Sequence, residues 1–154
     1  MHTAEQLKEL QTIIADCDGC IVYSPLVQEI NWGDPSFPLL VHKNIYTMPK
    51  DKNVDPFLEA KKVIEYSKNK SVYILIPGSE FDAYGTRHGR GGGWYDRFLS
   101  HIPREWLRIG VTTRANYSEK ALLRESWDQP VDWIIVQTNN SWIAQKSIGN
   151  KSVI

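Results

Sequence analysis

Ser71-Val72-Tyr73-Ile74-Leu75-Ile76-Pro77-Gly78 is the stretch from which the rest of the chain can be ordered. Val72 to Ile76 is apolar throughout and rich in β-formers. A strand with one wet face alternates, so an unbroken apolar run implies a central strand covered on both sides. Pro77-Gly78 ends it. Upstream, Asp55-Pro56 supplies an acidic N-cap and a proline at the first helical position. The helix is expected to reach about Lys68, with Phe57, Ala60, Val63 and Ile64 facing inward. Farther back, residues 4–16 carry Leu7, Leu10, Ile13 and Ile14 at helical spacing, and Gly19 is placed to end that helix. Cys20-Ile21-Val22-Tyr23 reads as a short buried strand. Residues 24–38 hold Pro25, Gly33, Asp34, Pro35 and Pro38, and read as a loop. Leu39-Leu40-Val41 and Ile45-Tyr46-Thr47-Met48 read as a strand pair.

Downstream, a helix is expected from near Gly93 to before Pro103, then a strand at Leu107-Arg108-Ile109-Gly110-Val111. Ser118 is placed to cap a short helix through Arg124. Val131 to Val136 is a further strand, and the tail after Thr138 receives no assignment. Strands and helices alternate, which predicts a three-layer α/β/α domain with a mostly parallel central sheet. The chain of 154 residues fits a single domain spanning 1–154.

Lys plus Arg and Asp plus Glu number 18 each, so no global field draws the chain to nucleic acid or to a membrane. There is no apolar run of membrane-spanning length and no signal-peptide pattern at the N-terminus, so a cytoplasmic protein is expected. Both cysteines lie in Cys17-Asp18-Gly19-Cys20. A redox pair would open a helix, and zinc would need two further ligands, whereas His2, His42, His88 and His101 are scattered. Two small apolar residues around a turn is the reading retained.

The chemistry concentrates in Gly85-Thr86-Arg87-His88-Gly89-Arg90-Gly91-Gly92-Gly93-Trp94-Tyr95-Asp96. Four glycines within residues 89–93 let backbone N–H groups converge and let a ligand approach the main chain. Arg87 and Arg90 can grip phosphate oxygens. No Gly-Lys-Ser/Thr ends the loop, which excludes a P-loop. Trp94 stands where the dinucleotide fingerprint needs its third glycine. Trp94 and Tyr95 offer rings to a flat heterocycle. Asp96 either caps the following helix or holds Mg²⁺ beside phosphate. His88 is expected to face solvent.

Pro77-Gly78-Ser79-Glu80-Phe81-Asp82, followed by Gly85-x-Arg87-x-Gly89-Arg90-Gly91-Gly92-Gly93-Trp94-Tyr95-Asp96, resembles the signature of the 5-formyltetrahydrofolate cyclo-ligase family. Ile109-Gly110-Val111 and Asp128-Gln129-Pro130-Val131-Asp132 extend the likeness over roughly residues 71–137. The resemblance implies an enzyme that uses ATP and Mg²⁺ to turn 5-formyltetrahydrofolate into 5,10-methenyltetrahydrofolate, ADP and phosphate. By position it implies ATP contacts from Arg87, Gly89, Arg90, Gly91, Gly92, Gly93, Trp94 and Tyr95. Reduced folate would meet Arg90 to Trp94, Mg²⁺ would sit on Asp96 and Asp128, and Arg87 and Arg90 would assist the reaction.

This chain departs from the family pattern at several points. His88 replaces a leucine, Trp94 a tyrosine, and Trp127 a histidine or asparagine. The glutamine usual after the Ile-Gly strand is not evident. Upstream, an ATP-contacting lysine on a first helix is missing, and Lys8 does not replace it. The folate-contacting Glu-x-x-Thr segment is absent, with Glu29 in that vicinity but out of context. The N-terminal half reads as shortened. These departures imply weakened or redirected turnover, and leave open a non-catalytic nucleotide- or phosphate-binding paralogue.

Overall fold

The structure is a computed structural model and describes residues 3–39, 44–50 and 53–149. In chain order its elements are α1 (Thr3–Ala15), β1 (Gly19–Val22), β2 (Ile45–Thr47), α2 (Pro56–Tyr66), β3 (Val72–Ile76), β4 (Glu80–Asp82), β5 (Arg87–His88), α3 (Trp94–Leu99), β6 (Leu107–Thr113), a 3₁₀ turn (Arg114–Asn116), β7 (Tyr117–Ser118), β8 (Trp133–Gln137) and β9 (Trp142–Lys146). Six strands form the main sheet in the order β2-β1-β3-β6-β8-β9. Neighbours are parallel except β9, which runs antiparallel to β8. A small second sheet, β5-β4-β7, stands beside it.

The continuous apolar run of β3 is explained by cover on both faces. Val72, Ile74 and Ile76 join the cluster containing Ala60, Val63, Phe98 and Leu99 from α2 and α3. Tyr73 and Leu75 join the opposite cluster with Leu10 and Ile14 of α1. The strand period of two thus divides one sequence between two cores. The expected three layers are present.

Several details differ from expectation. Gly19 opens β1, and α1 has already ended at Ala15. On α1, Ile13 is exposed while Leu10 and Ile14 are buried. On α2, Asp55 caps as expected, accepting the Phe57 N–H at 2.8 Å. The helix ends at Tyr66, though, and it buries Glu59, Ala60 and Val63 while Phe57 and Ile64 are exposed. Its face turns because Glu59 has a partner: the Tyr46 hydroxyl donates to Glu59 Oε2 at 2.7 Å. The expected strand over 39–41 falls largely outside the described residues, and β2 pairs with β1 instead.

No helix follows Ser118, which ends β7. The Leu122 N–H donates to the buried Asp82 carboxylate at 2.7 Å, which draws the segment away from helical hydrogen bonding. The unassigned tail supplies β9, which α1 covers. Trp142 of β9 meets Phe37 edge-on at 5.4 Å between centroids. Cys20 is buried in β1, and Cys17 is half-buried with its thiol pushed up by burial, an environment that disfavours a reactive thiolate.

The second sheet is held against the first where Phe81 of β4 meets β6. A side chain on Gly110 would collide with the fully buried Phe81 ring. Gly110→Ala is therefore expected to lower stability by about 1–3 kcal/mol, the usual cost of overpacking. Urea denaturation checks this, and an unchanged midpoint would show that the two sheets can part without cost.

Candidate active site

Main-sheet order places β1 and β3 side by side where the chain's direction of winding changes, with β2 outside β1. In open α/β sheets ligands gather at such a point, beyond the carboxyl ends of the strands. A cavity of about 570 Å³ lies there. It is lined by Tyr23 and Ser24 after β1, Lys50 after β2, and Pro77-Gly78-Ser79 after β3. The glycine-rich loop, Leu26 and Glu29, and Leu123, Glu125, Trp127 and Asp128 line the rest of it. This volume is in the range that holds a cofactor-sized ligand.

The loop is anchored at its base. Ser79 donates from its backbone to the His88 carbonyl at 2.7 Å and from its hydroxyl to the Gly89 carbonyl at 2.9 Å. Gly91, Gly92 and Gly93 then take φ values of 100°, 79° and 65°. Three successive residues in the left-handed region explain why the run is glycine, since side chains rarely adopt it. Gly93 is the N-cap of α3 and has no capping side chain. Arg97 Nη1 closes the turn by donating to the Gly92 carbonyl at 2.6 Å.

Arg87 is buried, with Nε donating to the Pro77 carbonyl at 2.6 Å. Its guanidinium lies 4.8 Å from the centre of the Tyr95 ring, and its terminal nitrogens lie against the open side of Gly89. Burial lowers its pKa, with the neighbouring Tyr95 and Asp96 opposing that shift. Arg90 pairs with Glu29, Nε to Oε2 at 3.3 Å. Glu29 is itself fixed, because its Oε1 accepts the Leu26 N–H at 2.9 Å.

The opposite wall is tied to this loop from several sides. His88 Nε2 donates to the Leu123 carbonyl at 2.7 Å, so His88 does not simply face solvent. Arg124 reaches Thr86 Oγ1 at 3.1 Å and the Tyr84 carbonyl at 2.9 Å. Asp128 Oδ2 accepts the Glu125 N–H at 2.8 Å, and Asp96 Oδ1 accepts the Gln129 N–H at 3.0 Å. Behind them Arg108, buried on β6, donates to Gln129 Oε1 at 3.1 Å and to the Leu99 carbonyl at 2.9 Å. Arg108 thus joins the end of α3, which carries Asp96, to the residue following Asp128. Burial lowers the Arg108 pKa to about 10.

Asp96 is not a helix cap. It turns toward Asp128, and its pKa is raised first by burial, with the Asp128 charge and a hydrogen bond to that carboxyl adding to the rise. The Gln129 N–H and Arg87 act the other way. Two half-buried carboxylates meeting at a cavity wall suit a divalent cation, which would relieve the repulsion. Among the described residues, no group of three or more His, Cys, Asp or Glu side chains could hold a metal. The remaining ligands would have to come from water or phosphate oxygens, as Mg²⁺ sites commonly allow.

Arg87, Gly89, Arg90, Gly91, Gly93, Trp94, Tyr95, Asp96 and Asp128 all line the cavity, and Gly92 does not. Trp94 and Tyr95 are largely core: Trp94 stacks on Phe98 with centroids 5.4 Å apart, and its Nε1 donates to the Val54 carbonyl at 2.9 Å. Lys8 is absent from the cavity lining, whereas Glu29, Lys50 and Trp127 contribute to it. Glu29, noted in the vicinity of the absent folate-contacting segment, does line the cavity, whereas Lys50 belongs to no motif and only the strand order brings it in. Trp127 could have been suspected from its place beside Asp128.

Fold and cavity define a three-layer α/β protein with a cavity at its topological switch point. The model of the 5-formyltetrahydrofolate cyclo-ligase family matches residues 41–137, and the chain belongs to that family. It is 29% identical over 118 residues to the 5-formyltetrahydrofolate cyclo-ligase of Escherichia coli (strain K12), covering 76% of this chain and 63% of that protein. The Mycoplasma pneumoniae cyclo-ligase is 27% identical over 116 residues, covering 74% and 70%. The chain therefore spans less than two thirds of the E. coli relative. In fold it is similar to the NMR structure of Aquifex aeolicus 5,10-methenyltetrahydrofolate synthetase. The TM-score is 0.57 at 20% identity, over 99% of this chain and 84% of the other.

Removing one of the two facing carboxylates should stabilise the empty protein. Asn at position 96 keeps an oxygen for the Gln129 N–H and removes the repulsion from Asp128. Because the folded-state pKa of Asp96 is raised, its ionisation costs stability as pH climbs above the ordinary Asp value of about 3.9. Asp96→Asn is expected to raise Tm at neutral pH without metal, with the gain vanishing in acid. A lower Tm at neutral pH would show that the carboxylate is structurally required.

Proposed function

We propose that the chain is an ATP- and Mg²⁺-dependent 5-formyltetrahydrofolate cyclo-ligase, with reduced folate and nucleotide sharing the cavity. The observation that carries this is the meeting of Arg87, Arg90 and the glycine run with the Asp96–Asp128 pair around one cavity. In the reaction the formyl oxygen attacks the γ-phosphorus of ATP and ADP departs. N10 then bonds to the activated formyl carbon, its proton is lost and phosphate leaves, giving the methenyl ring. Such chemistry asks a protein mainly for positioning and charge neutralisation.

Arg87 is held rigid by Pro77 and Tyr95, so its charge is oriented before a ligand arrives. Asp96 and Asp128 would hold Mg²⁺, which would supply positive charge to offset that of the phosphates. Among the described residues, the cavity is lined by three cations, Lys50, Arg87 and Arg90, against four carboxylates, Glu29, Asp96, Glu125 and Asp128. A polyphosphate alone meets more negative than positive side chains, so nucleotide binding should require the divalent ion. Lys50 is exposed at the end of β2 and lines the cavity, a position from which it can supply the charge that the upstream lysine would bring. That favours an active enzyme over a non-catalytic nucleotide-binding paralogue.

Incubating the chain with 5-formyltetrahydrofolate, ATP and Mg²⁺ should produce methenyl-folate absorbance and equimolar ADP. Absence of product with a normal MgATP-induced rise in Tm would establish the non-catalytic reading. Absence of both would overturn the assignment of the cavity to nucleotide. Arg87→Ala should abolish most of the MgATP-induced Tm shift. Lys50→Ala should reduce kcat by about 10²–10³ while MgATP binding persists, the usual cost of losing one preorganised charge. A wild-type kcat would remove Lys50 from the mechanism.

A further inference from the structure

Trp127 is 64% exposed and Leu123 is 73% exposed, yet both line the cavity. Large apolar side chains standing in water beside a ligand site are informative, because the protein gains nothing from them in the empty state. Their backbone is firmly tied. The Leu122 N–H is held by Asp82, the Leu123 carbonyl by His88, and Asp128 Oδ2 accepts the Glu125 N–H. The indole is therefore presented from a fixed segment. By contrast, Trp94 and Tyr95 are 7% and 5% exposed, and their rings pack against Phe98 and each other. The rings in the glycine-rich motif are mostly used by the core, and the ring free for a ligand lies on the opposite wall.

We propose that Trp127 is a stacking platform for the flat heteroaromatic ring of a ligand in this cavity, with Leu123 extending the apolar surface. The inference rests on the cyclo-ligase reading and deepens it by assigning a specificity residue. Trp127 adjoins Asp128, so a ring seated on it lies beside the carboxylate pair where the charged part of the ligand would sit. An indole face can stack on a flat, nitrogen-containing ring. Adenine and the planar pyrimidinone ring of a reduced folate both offer such a face, and separate titrations distinguish them.

The test uses the full chain with Trp127→Phe, Trp127→Leu and Trp127→Ala. Each is titrated calorimetrically with MgATP alone and with 5-formyltetrahydrofolate alone. Because Trp127 is exposed, all three variants should keep the wild-type Tm without ligand. Phe should retain affinity within about threefold, while Leu and Ala should lose on the order of tenfold or more for one of the two ligands, the scale of base–aromatic stacking. A loss confined to MgATP assigns the platform to adenine, and one confined to the folate assigns it to the pteridine. Equal binding of both ligands by wild type and Trp127→Ala overturns the platform while leaving the cavity's function standing. Equal losses in Phe and Ala overturn stacking as the cause. A wild-type protein that binds neither ligand overturns the cyclo-ligase reading and the platform with it.

Discussion

The carboxylate of Asp82 accepts three backbone N–H groups. Oδ1 takes Tyr84 and Thr86, each at 2.9 Å, and Oδ2 takes Leu122 at 2.7 Å. The first two shape the turn between β4 and β5, which leads into the glycine-rich loop. The third captures a segment forty residues later that has no regular structure of its own. Hydrogen bonds to a charged group contribute roughly 1.5–3 kcal/mol each. Three together are comparable with the whole stability of a small domain, about 5–15 kcal/mol. Asp82 is 1% exposed, and removing it would leave donors to be satisfied elsewhere. Both walls of the cavity thus depend on one side chain that is not among the cavity's lining residues.

A second tie acts from beneath. Arg108 links the Leu99 carbonyl to Gln129, and the Gln129 N–H reaches Asp96. The two carboxylates are held close from behind although their charges repel. The site stores an unfavourable contact that a cation can relieve, in keeping with the trade between stability and function seen at many active sites. Arg90 is the opposite case, since its charge is paired with Glu29 and a phosphate would have to compete with that carboxylate. Arg87 is fixed by a carbonyl and a ring, with no ion pair among the described residues.

The central sheet was legible in the sequence because Val72 to Ile76 could be explained only by two-sided burial. The loop was legible because three successive positive φ values demand glycine and because its motif is long. Other features were hidden for particular reasons. Glu59 reads as a surface residue until Tyr46, thirteen positions earlier, supplies its partner. The segment after Ser118 has a helix start, yet the Asp82 carboxylate outcompetes local hydrogen bonds. The short strand Trp142–Lys146 mixes polar and apolar residues, and only α1 and Phe37 reveal why it docks. Lys50 reaches the cavity through strand order alone, which no local pattern encodes.

Locating the metal and the nucleotide together is the most direct check on the claim that Asp82 and Arg108 assemble one site from two walls. Crystals of the chain grown with Mn²⁺ and a non-hydrolysable ATP analogue would report both through anomalous scattering and ordinary density. The account predicts one strong anomalous peak in contact with Asp96 and Asp128, with phosphate density between it and Arg87. A nucleotide bound outside the cavity, or a metal peak that avoids both carboxylates, would contradict it.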